Sequence, residues 1–101
     1  MKTTSLADWL AQPSTDQLID VRERDEFAQG HVPGAKNLPL SDIDQWKDQL
    51  DPDQGYALMC QMGGRALRAS LPLQQAGIAQ LTLITDGFAS YDGPVARTGE
   101  P

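Results

Sequence analysis

The sequence predicts an α/β fold built on a mostly parallel sheet, and three observations carry that prediction. Short apolar runs of strand length alternate with short amphipathic segments of helical period, the pattern of βαβ units. The run Tyr56-Ala57-Leu58-Met59 is apolar without alternation, as a strand covered on both faces should be. Glycine and proline punctuate the junctions, at Pro33-Gly34, Asp51-Pro52-Asp53, Gly63-Gly64 and Gly77. With 101 residues and no internal repeat, linker or low-complexity stretch, the chain is expected to form one domain.

The elements follow in order. Ser5 opens a first helix, with Asp8 completing a capping box and Leu6, Trp9 and Leu10 on one face. Gln17 to Val21 reads as a strand, and Glu23 to Ala28 as a short acidic helix ended by Gly30. Ala35 to Leu38 is a brief strand before Pro39. Ser41 and Asp44 form a second capping box, opening a helix whose Ile43, Trp46 and Leu50 share a face. After the Tyr56–Met59 strand, Gln61 to Gly64 is a loop and Arg65 to Ala76 a helix stopped by Gly77. Pro72 lacks an N–H and should kink or split that helix. Leu81 to Ile84 is the last strand, Phe88 and Tyr91 sit on a short helical turn, and the chain from Gly93 onward shows no pattern.

Charge narrows the function. Eight bases against fourteen acids give a net charge of −6, which repels nucleic acid and anionic lipid, so neither is expected as a partner. No apolar run exceeds the five residues Tyr56 to Cys60, too short to span a membrane, and the first residues lack a signal-peptide pattern. One Cys cannot form an internal disulfide, and one Cys with one His cannot build a structural zinc site. No metal or cofactor is implied, and a cytoplasmic location is expected. From Gln54 to Thr85 there is no acid, only Arg65 and Arg68, and Cys60 stands in that window. Such a stretch is either plain core or a site kept free of carboxylates for an anion.

Cys60 ends the buried strand and is followed by Gln61-Met62-Gly63-Gly64-Arg65. The carboxyl ends of parallel strands are where open sheets bind ligands. Adjacent glycines let the backbone curl so that successive N–H groups converge in a nest, and the next helix presents its positive end there. A thiol so placed should ionise below its free value, and Arg65 adds a cation able to grip an oxyanion at two points. A lone Cys closing an apolar strand can also be an inert core thiol. The Gly-Gly-Arg sequel favours the reactive reading, because an inert Cys needs no nest after it.

These residues resemble a known family. Leu18-Ile19-Asp20-Val21-Arg22, Glu26-Phe27, Gly30 to Pro39, Cys60 to Ala66 and Gln75-Ala76-Gly77 look like the rhodanese domain, in its order and spacing. The resemblance spans residues 5–97, leaving 98–101 as a tail. It implies a five-stranded, mostly parallel sheet flanked by helices on both faces. It also implies a sulfurtransferase, with Cys60 as nucleophile and persulfide carrier and Gln61, Met62, Gly63, Gly64 and Arg65 as the substrate cradle. The thiolate would attack the outer sulfur of a donor anion such as thiosulfate, or of a persulfide, leaving Cys60–S–S⁻. Cyanide, a thiol or a carrier protein's cysteine would then take that sulfur. With no second Cys to resolve the persulfide, the acceptor must come from outside. The alternative class is a persulfide-holding or protein-docking module without turnover. Phosphatase and arsenate reductase loops place Arg one residue later, where this chain has Ala66.

Departures from the family pattern sharpen three expectations. Asp86-Gly87 stands where the family usually has a glycine pair, so Asp86 either caps the short final helix or faces the crevice. Tyr91 replaces a frequent Trp, as packing. With no cation in the loop before Arg65, thiosulfate is a weaker fit than a persulfide or polysulfide donor. Asp20 and Arg22 are expected to tie loops together, with Glu26 as charge partner. His31 is read as loop packing, and Trp9 and Trp46 as core.

Overall fold

The computed structural model describes residues 1–98. Its centre is a five-stranded, all-parallel sheet made of β1 (Lys2–Thr4), β2 (Gln17–Asp20), β3 (Lys36–Asn37), β4 (Tyr56–Met59) and β5 (Leu81–Ile84), in the spatial order β1-β5-β4-β2-β3. The helices are α1 (Leu6–Ala11), α2 (Arg24–Gln29), α3 (Ile43–Trp46) and α4 (Gly64–Gln75). Short 3₁₀ turns at Leu40–Asp42, Lys47–Gln49 and Phe88–Ser90 complete the helical parts.

Strand parity sorts the core into two layers. Ile19, Val21, Tyr56, Leu58, Cys60, Leu81 and Leu83 pack on one face with Trp46 of α3 and Ala66, Ala69 and Leu73 of α4. Leu18, Ala57, Met59 and Ile84 point to the opposite face, with Leu6 of α1 and Val32. Successive side chains of a strand alternate sides, so each face gets its own apolar set, and unbroken runs such as Tyr56–Met59 are the result. Leu58 at the centre is fully buried, and truncating such a residue to Ala costs about 2–5 kcal/mol.

Ser5 caps α1 as expected, its hydroxyl accepting the Asp8 N–H at 3.1 Å. Four expectations change. β1 has no apolar signature; it is a three-residue edge strand pairing with β5 through Lys2, Thr3 and Thr4. Ser41 is not a helix cap. Pro39 opens a 3₁₀ turn there, and the Ser41 hydroxyl donates to the Glu23 carboxylate at 2.7 Å. Pro72 does not split α4, which runs on to Gln75. The carbonyl deprived of a partner is that of exposed Arg68, where solvent can supply the bond. The segment after Gly93 is also tied down. His31 and Ala96 exchange backbone bonds at 2.9 Å, and Thr98 donates to the Ala28 carbonyl at 3.2 Å. Of the expected tail, residues 99–101 lie outside the described residues.

The register brings the site together. Asp20 pairs beside Met59 and Leu58 beside Leu83, so β2, β4 and β5 end side by side. The chain steps outward from β2 to β3 and then returns to β4 on the other side of β2. Strand order therefore reverses between β2 and β4, the place where a parallel sheet opens a crevice.

Candidate active site

Cys60 follows β4 at that reversal and is almost wholly buried, at 1% exposure. Its Sγ accepts two backbone N–H groups, from Gly63 at 3.0 Å and from Ala66 at 3.3 Å. The converging donors anticipated by the glycine pair are thus present, one from the loop and one from the first turn of α4. Gly63 adopts φ +100°, the left-handed region. A Cβ at Gly63 would also come within 2.5 Å of the Thr85 carbonyl. Gly64 is different, being the first residue of α4 with open space where a Cβ would go. Only the first glycine of the pair is required by the backbone.

The turn after β5 braces the loop from behind. Phe88 N–H donates to the Cys60 carbonyl at 3.0 Å, and Ala89 N–H to the Gln61 carbonyl at 3.1 Å. This close approach passes over Gly87, where a Cβ would fall 2.2 Å from the Cys60 carbonyl oxygen. Asp86 caps a helix, but not the expected one: its Oδ1 accepts the N–H of Leu6 in α1 at 2.8 Å. The final turn has no side-chain cap.

Arg22 is the second brace. It is 2% exposed, and its guanidinium holds the Asp20 carboxylate by Nε at 3.0 Å and by Nη2 at 2.8 Å. Nη2 also donates to the Gly30 carbonyl at 2.8 Å, Nη1 reaches Gln61 Oε1 at 3.4 Å, and the cation lies 4.4 Å above the Phe88 ring. One buried cation thus joins β2, the end of α2, the Cys60 loop and the β5 turn. The expected loop-tying role is present, but the charge partner of Arg22 is Asp20 rather than Glu26.

Glu26 pairs with Arg65 instead. Arg65 Nη1 donates to Glu26 Oε1 at 2.5 Å and Nη2 to Oε2 at 2.9 Å, a two-point pair between α2 and α4. The Glu26 carboxyl is held below its ordinary value mainly by the Arg65 hydrogen bond, with burial opposing. The same bond raises Arg65, which stays charged. Sequence spacing gave no signal for this pair, whose members are 39 residues apart. Beside the loop lies a cleft of about 310 Å³ lined by Arg22, Glu26, Gln29, Gly30, Gln61 and Phe88. Met62, at the loop tip, is 77% exposed. His31 is packing, stacked on Phe27 with ring centroids 3.6 Å apart. Among the described residues no cluster of side chains suited to a metal ion occurs.

A five-stranded parallel sheet, a cysteine at the carboxyl end of its central strand and a loop of converging amides define a class of protein. The chain belongs to the rhodanese-like domain family, whose model matches residues 3–93. It is 37% identical over 95 residues to the Bacillus subtilis protein YqhL, covering 94% of this chain and 75% of that one. It is 30% identical over 97 residues to a protein of Allochromatium vinosum named sulfurtransferase, covering 96% and 87% respectively. The crystal structure of a rhodanese-like domain protein from Staphylococcus aureus superposes with a TM-score of 0.85 at 24% identity, over 98% of this chain and 100% of that one. That likeness concerns the fold. No helix among the described residues is long and apolar enough to cross a membrane.

Proposed function

We propose that this chain is a sulfurtransferase that carries a sulfane sulfur on Cys60. The observation that carries the reading is the pair of amide N–H groups on Cys60 Sγ, at 3.0 and 3.3 Å. Attack joins Cys60 Sγ to the outer sulfur of the donor and breaks the donor's S–S bond. The electron pair of that bond leaves with sulfite from thiosulfate, or with a thiolate from a persulfide. The product is Cys60–S–S⁻. Fixed N–H donors on Sγ stabilise the Cys60 thiolate without reorganisation, as nucleophile in this step and as leaving group in the next. An acceptor nucleophile then bonds the outer sulfur and Cys60 leaves as thiolate; with cyanide the product is thiocyanate. Gln61, Met62, Gly63, Gly64 and Arg65 form the cradle in this reading. Gly63 gives an amide, Gly64 is the first residue of α4, and Gln61 and Met62 border the approach.

The relative from Allochromatium vinosum, named sulfurtransferase, supports this class of reaction for the chain. A lone cysteine that must stay reduced suits the cytoplasm. Thiocyanate formed from cyanide and either thiosulfate or a small organic persulfide tests the reading. It is expected from the native chain at a rate above the protein-free background, and only at the background rate with Cys60→Ser; a native rate from that variant, or no rate above background from the native chain with either donor, contradicts it.

A further inference from the structure

We propose that Glu26 determines which sulfur donors this site accepts, by occupying Arg65 and presenting a carboxylate to the approaching donor. The proposal rests on the sulfur-transfer reading above and assigns the donor class for it. Arg65 is the cation nearest in sequence to the Cys60 loop, and both of its outer nitrogens are engaged by Glu26. A two-point grip on a donor's oxyanion would use at least one of those nitrogens, so a dianion must displace Glu26 or share Arg65 with it.

The cleft beside the loop is lined by Glu26 itself, not by Arg65. Its other charged wall, Arg22, is already committed to buried Asp20. A dianion such as thiosulfate entering this cleft therefore meets a carboxylate and one guanidinium already paired with Asp20, while Arg65 is held by Glu26. A persulfide ending in R–S–S⁻ carries one charge and no oxyanion for a two-point guanidinium clamp. Glu26 is also held from its own helix, its Oε1 accepting the Glu23 N–H at 3.1 Å, so the pair is anchored at the α2 end. The donor class assigned is thus small or protein-borne persulfides over thiosulfate.

Glu26→Gln tests this cleanly. Glutamine keeps an oxygen for the Glu23 N–H and loses the charge and the second acceptor that hold Arg65. We compare kcat and KM for thiosulfate with those for the persulfide of 2-mercaptoethanol, which has no oxyanion group. Glu26→Gln should lower KM for thiosulfate by about fivefold, the scale of one partly exposed charge pair, and leave the persulfide constants within about twofold. Glu26→Asp, which keeps the charge, should retain the native donor ratio. Arg65→Gln added to Glu26→Gln should cancel the gain. An unchanged donor ratio in Glu26→Gln, or equal shifts for both donors, would overturn the proposal and leave Glu26 a structural tie. If the native chain forms no Cys60 persulfide from either donor, the sulfur-transfer reading fails separately. Thiosulfate binding to Cys60→Ser by calorimetry, with and without Glu26→Gln, then still decides the pair's effect: about fivefold tighter binding in the double variant supports it, and equal binding overturns it.

Discussion

The carboxylate of Asp86, just past β5, accepts the N–H of Leu6 at 2.8 Å and so closes the first helix from 80 residues away. With Ser5 accepting from Asp8, two of the N–H groups that α1 cannot satisfy internally are bonded. The contact also ties the amino-terminal helix to the turn that braces the Cys60 loop.

Asp86→Ala should therefore cost about 1 kcal/mol, the usual worth of a helix cap. The urea midpoint should fall with the slope unchanged, and Asp86→Asn, which keeps an oxygen acceptor, should fall less. A midpoint equal to the native one would show that the cap contributes nothing.

The three glycines around the loop should not be equivalent. Gly63→Ala meets both a left-handed φ and the Thr85 carbonyl, and Gly87→Ala meets the Cys60 carbonyl. Each should lose about 1–3 kcal/mol of stability and slow sulfur loading of Cys60. Gly64→Ala, with open space and a helical position, should be neutral or slightly stabilising. Urea melts and loading rates on the three variants check the order.

Arg22 neutralises a carboxylate that is itself 0% exposed. Arg22→Ala strands Asp20 as an unpaired buried charge, at a cost of about 3–5 kcal/mol. Arg22→Ala with Asp20→Asn should recover a good part of that loss. Recovery measured by chemical denaturation distinguishes the pair from a simple packing defect, which would not be rescued.

Acid should release the Glu26–Arg65 pair. Folding lowers the Glu26 pKa below its ordinary 4.5, so its contribution is complete above that value and disappears as pH falls through the folded-state value. Other carboxylates titrate in the same range, so the informative quantity is the difference between native chain and Glu26→Gln. That difference should be largest above about pH 5 and close as pH falls through the folded-state value. A gap constant with pH would contradict the pairing.

Much of the fold is legible in local sequence. β2, β4 and β5 announce themselves as apolar runs because the sheet is covered on both faces. Cys60 and its loop are legible because a thiol, a left-handed glycine and a helix start stand within five residues. β1 is not, since an edge strand of Lys, Thr and Thr has no apolar set to display. The pairing of Glu26 with Arg65 and of Asp86 with Leu6 depends on strand order, which brings together residues 39 and 80 positions apart. In local sequence the nearest partners are Arg22 for Glu26 and the adjacent turn for Asp86. Pro72 does not split α4, because the cost of a proline depends on whether the orphaned carbonyl reaches solvent, which only the packing of α4 reveals.

Sulfur carried on Cys60 adds mass to the chain, so intact mass spectrometry reads it without an acceptor. The native chain is weighed before and after a persulfide donor and thiosulfate in turn, and again after cyanide, with Cys60→Ser alongside. A gain of one sulfur atom is expected, removed by cyanide and absent from the variant. No gain from either donor, or an equal gain on Cys60→Ser, would contradict it.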